Sequence, residues 1–201
     1  AFEMGVKTTL LEGRVQLNAS VYYQQLNEYQ NYFKEMPLLD SGSSFTDNVV
    51  ANVDAISQGV DIEVTGLIAE NWQASVAMGY NDFKFVDGET GPCNDGAVTP
   101  GQLYSSCELG GQRVGDNPNW SASASSDYTM PLETVDVFVR GLYKFNGSRQ
   151  AQNISGAAGA NGSYAILDVF TGVRSKDGDW EASLWAKNLL DKDAEGRKFA
   201  V

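Results

Sequence analysis

Gln58-Gly59-Val60-Asp61-Ile62-Glu63-Val64-Thr65 puts Val60, Ile62 and Val64 on one face of an extended chain and Asp61, Glu63 and Thr65 on the other. Period two is the signature of a strand, because successive side chains of a strand point to opposite faces. Upstream, Val15-Gln16-Leu17-Asn18-Ala19-Ser20-Val21-Tyr22-Tyr23-Gln24 alternates in the same way, with odd positions apolar and even positions mostly polar. Downstream the pattern returns over Gln73 to Asn81, Trp120 to Tyr128, Val135 to Tyr143 and Trp180 to Asn188. Tyr164 to Val173 is less clean, since Ile166 and Phe170 share a face with Asp168. With the opening segment at Phe2, the chain reads as all-β, an antiparallel meander of about eight strands.

The connections alternate as well. Leu11-Glu12-Gly13, Ala69-Glu70-Asn71, Pro131 to Thr134 and Lys176 to Asp179 are short and rich in turn formers. Between them the chain makes long excursions, from about Lys34 to Asn48, Val86 to Asn117 and Gly147 to Ser163, crowded with Gly, Ser, Asn and Asp. Short, long, short, long in succession gathers the tight turns at one end of an antiparallel sheet and the long loops at the other. That is the arrangement of an outer-membrane barrel, with periplasmic turns and extracellular loops. Greek-key crossings would not sort the loops this way.

The two faces agree with a wall between lipid and water. One carries Val, Leu, Ile, Ala and Met, with Tyr23, Trp72, Tyr80, Phe83, Trp120, Tyr128, Tyr143 and Trp180 toward segment ends, as interfacial girdles require. The other carries Asp61, Glu63, Asp136, Arg140, Glu181 and Lys187, which a packed core would not tolerate but a hydrated lumen or polar plug would. A soluble antiparallel sheet, one face on a core and one in water, gives the same periodicity and stays open as an alternative.

Bulk properties exclude several functions. Acidic residues outnumber basic ones 26 to 14, for a net charge of -12, so a grip on phosphate backbones is excluded and no nucleic-acid partner is expected. The chain has no His, which removes the commonest general base and metal ligand. No apolar run is long enough for a spanning helix, and Phe2-Glu3-Met4-Gly5 starts in mid-pattern without a targeting signal. No enzyme activity, metal or cofactor is expected. The only cysteines, Cys93 and Cys107, lie in one polar stretch. They read as a disulfide worth roughly 3 kcal/mol, made in an oxidising compartment.

Four segments resemble the TonB-dependent receptor family, in the family's order and over nearly the whole chain. Phe2-Glu3-Met4-Gly5-Val6-Lys7-Thr8, followed by Arg14 to Tyr23, resembles the hairpin "YELGLK…R…LNAAVFY". Asn52 to Glu63 resembles "NAGKARSQGVELE", Pro118-Asn119-Trp120-Ser121 matches a strand opened by "P-x-W", and Trp185 to Lys192 matches "V-x-NLFD-K/R". The resemblance implies a transmembrane barrel of 22 strands around a plug, a size associated with a plugged lumen. Residues 1–201 would then be a single segment of the barrel domain, strands fourteen to twenty-one, with plug, TonB box, N-terminal barrel strands and final strand absent. Phe199-Ala200-Val201 shows no obvious closing strand.

The resemblance further implies uptake across the bacterial outer membrane. A ferric siderophore, or else cobalamin, haem or a saccharide, would bind at the outer face and pass when the TonB complex pulls on the plug. Candidate ligand contacts are Tyr104, Glu108, Gln112 and Arg113 in the disulfide loop, with Tyr29, Tyr32, Phe33, Arg149 and Gln152 in neighbouring loops. Aromatic and Arg side chains suit such ligands, although each alone reads more readily as a solvated loop residue than as a contact. Asp87, Glu89, Asp95 and Asp116 lack calcium-loop spacing and read as loop solubility. Asp61 and Glu63, which could be taken for a glycosidase pair, read as wall polarity. The Asn-x-Ser sequences at Asn18, Asn119, Asn146, Asn153 and Asn161 are incidental in a bacterial barrel. Two other functions remain open, a passive porin-like or adhesive outer-membrane barrel and a soluble β-rich binding module.

Overall fold

The structure, a computed structural model, describes residues 1–37, 46–93, 104–115, 117–149 and 162–193. Gln152, Asp95, Asp116, Asn153, Asn161 and the Phe199 terminus lie outside the described residues.

Eight strands form one antiparallel sheet: β1 (Phe2–Leu10), β2 (Val15–Pro37), β3 (Thr46–Ala69), β4 (Trp72–Phe85), β7 (Trp120–Pro131), β8 (Val135–Asn146), β9 (Tyr164–Ser175) and β10 (Glu181–Ala186). Each pairs with its predecessor in this series, as the meander requires. The remaining two, β5 (Thr90–Cys93) and β6 (Ser105–Glu108), pair with each other inside the stretch expected to be a loop. Short turns close one end. At the first, Leu11, Glu12 and Gly13 take φ of 53°, 55° and 92°, and Arg14 N–H donates to Leu11 O at 3.1 Å. The Arg14 guanidinium then reaches Leu67 O and Ile68 O at 3.2 and 3.1 Å, which ties the adjoining turn to it.

Register resolves the faces. Met4, Val21, Val60, Tyr80 and Trp120 stand in one row across the sheet, and Thr8, Leu17, Val64, Val76, Ala124, Tyr143 and Leu167 in another. These rows alternate with polar ones. Gly5, Ser20, Asp61, Gly79, Ser121, Asn146 and Tyr164 make the first, and Lys7, Asn18, Glu63, Ala77, Ser123, Lys144 and Ile166 the second. The polar rows line a trough of about 730 Å³, so the polar face is concave and the apolar face convex. Ile166, Asp168 and Phe170 do share the concave face.

The convex face is bare. Val60, Ile62, Val64, Val76 and Met78 are each 37–46% exposed although central in the sheet. Soluble monomers rarely leave so continuous an apolar surface uncovered. On β4 the aromatic rows at Trp72 and Tyr80 bound this band. Eight steps separate them, about 27 Å along the strand and roughly 20 Å vertically at a typical barrel tilt, close to the thickness of an apolar barrel belt.

Three expectations change. The alternation read over Val15 to Gln24 does not continue unbroken along β2, which runs to Pro37 where a loop was expected from about Lys34, because a bulge sets Asn27 and Glu28 against Asp54 alone. Glu28 takes φ of 53° and its N–H donates to Asp54 Oδ1 at 2.7 Å. One extra residue reverses the parity from there to Phe33, beyond which the register shifts again, so Tyr29, Asn31 and Phe33 turn to the concave side. Phe83, expected in an interfacial girdle, is also concave, opposite Ser57 and edge-on to Tyr29 at 5.3 Å. Finally, β10 ends at Ala186. Asn188 leaves the ladder with φ of 53°, its N–H bonded to Asp168 Oδ1 at 2.8 Å and its side chain closing a turn on Lys192.

Candidate functional site

Two regions of the concave side position side chains that could meet a ligand. The lower one is the trough. Gly5, Ser20, Gly79 and Ser121 are small, which makes the room; a Cβ at Gly79 would lie 2.9 Å from Asp61 Oδ1 and 3.3 Å from Ser121 Oγ. Glu63 accepts from Asn18 Nδ2 at 3.3 Å, while Ser75 and Ser125 share a 2.7 Å bond. Toward the short-turn end the charges pair across strands, Arg140 with Asp127 and Arg174 with Glu181, the latter at 2.9 Å. Arg174 also covers the Phe138 ring at 5.3 Å. Exposed pairs of this kind contribute little stability, about 0–1 kcal/mol each; they keep a hydrated wall polar.

The upper region is a folded cap at the long-loop end. Beyond β4, the extended β2 and β3 continue as a ribbon on whose concave side the β5–β6 hairpin sits. Phe33, Val53, Ala55, Phe85, Leu109 and Val114, all buried, form its core, flanked by Leu26, Tyr29, Val49, Ala51, Phe83 and Tyr104. The Cys93–Cys107 disulfide joins the hairpin strands with Cα atoms 5.8 Å apart. Backbone bonds fasten the cap to β4, from Phe85 N to Gln112 O at 2.9 Å and from Val114 N to Phe83 O at 2.9 Å.

The structure separates the sequence candidates. Phe33 is 1% exposed and stacks with Phe85, so it packs the cap. Tyr29 and Tyr104 are half-buried at the same core. Tyr32 lies opposite Val50 on the other side of the ribbon and is 47% exposed. Glu108 and Gln112 are exposed, and Gln112 Nε2 donates to Glu108 O at 2.8 Å. Arg113 faces the convex side beside Lys84. Arg149 stands 5.8 Å over the Tyr164 ring, at the root of the loop after β8. The described residues hold no group of three or more metal-ligating side chains.

Alternation alone would have found a set that the loop-based reading passed over. Tyr22, Ser57, Asn81, Asn146 and Tyr164 occupy concave positions near the loop roots, and Ser57 Oγ donates to Asn81 Oδ1 at 3.1 Å. With Arg149 they offer hydroxyls, amides, rings and one cation to the space above the trough.

Known proteins agree with this geometry. The profile described as "TonB dependent receptor-like, beta-barrel" matches residues 1–189. Among solved structures, the ferric-catecholate import receptor Fiu of Escherichia coli K12 superposes with a TM-score of 0.59 at 18% identity, covering 95% of this chain and 23% of that one. The FrpB iron transporter of Neisseria meningitidis does so with a TM-score of 0.58 at 15% identity, over 94% of this chain and 26% of that one. The chain thus spans about a quarter of the length of these receptors. No curated protein sequence matches it.

Proposed function

We infer that this chain, which belongs to the TonB-dependent receptor β-barrel family, is wall and vestibule of an outer-membrane receptor that takes up a scarce nutrient, a ferric siderophore foremost. The observation that carries the reading is the sheet's division into a bare apolar convex face and a charged concave one. Such a sheet is consistent with lipid outside and a hydrated, plugged lumen inside. The long-loop end, with the disulfide cap, is then extracellular, where a disulfide persists. The 201 residues are one segment of a barrel domain whose plug and other strands belong to a longer protein. The TonB complex acts through that plug. Two solved structures of similar fold are iron transporters by name, and this supports the siderophore ahead of cobalamin, haem or a saccharide.

Ligand contact is assigned to the concave rim, to Tyr29, Tyr104, Glu108, Gln112 and Arg149 of the candidates together with Tyr22, Asn81, Asn146 and Tyr164. Their donors, acceptors and rings suit an oxygen-rich iron chelate. The test is uptake of radio-iron chelates by cells carrying the full-length protein under iron limitation. Uptake lost on deleting either the receptor or TonB is expected. Uptake that continues without TonB would identify a passive barrel, and a protein recovered without detergent would end the membrane reading.

A further inference from the structure

Lys84 and Arg113 stand directly opposite each other in the antiparallel bridge between the end of β4 and the segment before β7. Val114 and Phe85, their chain neighbours, are buried in the cap core on the concave side. Lys84 and Arg113 therefore turn to the convex face. Like charges at directly opposed positions of a sheet destabilise it unless an anion intervenes. Asp82 supplies one carboxylate, 3.4 Å from Lys84 Nζ, but that carboxylate also accepts from Gln58 Nε2 at 3.2 Å. Among the described residues the Arg113 guanidinium has neither a hydrogen-bond nor an ion-pair partner.

Height along the sheet says which anion. The convex row at Tyr80 and Trp120, whose rings lie 4.7 Å apart, ends the apolar band. Lys84 is four residues beyond Tyr80 on the same face. That is about 13 Å along the strand and roughly 10 Å higher at a typical tilt. Headgroups occupy about 5–8 Å beyond each side of the hydrocarbon, and both side chains are long enough to reach down into that layer. The chain's net charge of -12 repels free anions. A phosphate fixed in the bilayer is held at this level regardless, and the planar Arg fork accepts it bidentately with Lys as the second charge.

We propose that Lys84 and Arg113 form a binding site for the phosphate of a lipid headgroup in the leaflet at the long-loop end. The site rests on the membrane placement proposed above. The experiment uses the full-length receptor in detergent, with native mass spectrometry counting retained bisphosphorylated lipid A, for wild type, Lys84→Gln/Arg113→Gln, and Lys144→Gln as a concave-face control. Retention should fall about tenfold in the double variant, a loss of the order expected for two charge-assisted phosphate contacts, and should be unchanged in the control. Dephosphorylated lipid A should be retained as poorly by wild type as bisphosphorylated lipid A is by the double variant. Equal retention by double variant and wild type overturns the site, and so does displacement by millimolar inorganic phosphate, which would make it a free-anion site. Fractionation of cells tests the placement separately, because a receptor found in the outer membrane with unaltered lipid retention in the double variant refutes only this site.

Discussion

Glycine positions show how tightly individual residues are held. Gly59 lies under the Tyr22 ring of the neighbouring strand, and a Cβ there would collide with that ring and with the Tyr80 carbonyl oxygen. Backbone cannot give way cheaply, so Gly59→Ala is expected to destabilise the folded wall by about 1–3 kcal/mol. Gly141, on the convex face, has nothing within 4 Å of its Cβ position. Gly141→Ala should be neutral within about 0.5 kcal/mol, and urea unfolding midpoints of the full-length receptor in detergent compare the two. The same scale explains what was legible in the candidate site. Tyr29 and Phe33 are aromatics four positions apart in a polar run, and nothing in their identity tells a ligand contact from a cap core. The answer lies in the Glu28 bulge, a backbone event stabilised by Asp54, which is 26 positions away in the chain.

Among elements, the strands that alternate strictly could be read from the sequence and the cap could not. β4, β7 and β8 fall within a few residues of their expected bounds, since side-chain period alone sets which face each residue takes. The β5–β6 hairpin has strands of 4 residues each, too short for a periodic signal, and takes its stability from long-range contacts and the disulfide. The bond closes a loop of sequence separation 14, so Cys93→Ser/Cys107→Ser should loosen the hairpin by about 3 kcal/mol. Limited proteolysis is expected to cut the variant between Thr90 and Glu108 while the eight-stranded sheet stays intact. Cleavage no faster than in wild type would show that the Phe33–Phe85–Leu109 core holds the cap alone. The outer membrane's thickness sets a further element-scale contrast on β4. Val76 lies midway between the aromatic rows, so Val76→Arg should cost about 2–4 kcal/mol on insertion. Ala77→Arg, which projects into the trough, should not carry that membrane penalty; heat-modifiability on gels after refolding into lipid reads both.

At the scale of the molecule, the central claim is that this sheet is a wall with lipid on its convex side and a hydrated lumen on its concave side. Cap, trough and phosphate site take their meaning from that orientation, and the sheet corresponds to about a quarter of the length of the receptors it superposes on. The direct measurement is spin-label accessibility along β4 of the full-length receptor in bilayers, with single labels from Gln73 to Asn81. A wall between lipid and lumen gives oxygen accessibility at Ala74, Val76, Met78 and Tyr80, and aqueous nickel-chelate accessibility or plug-contact immobility at Ser75, Ala77 and Gly79, with period two. Aqueous accessibility at Val76 and Met78 equal to that at Ala77, without alternation, would mean that the convex face does not meet lipid.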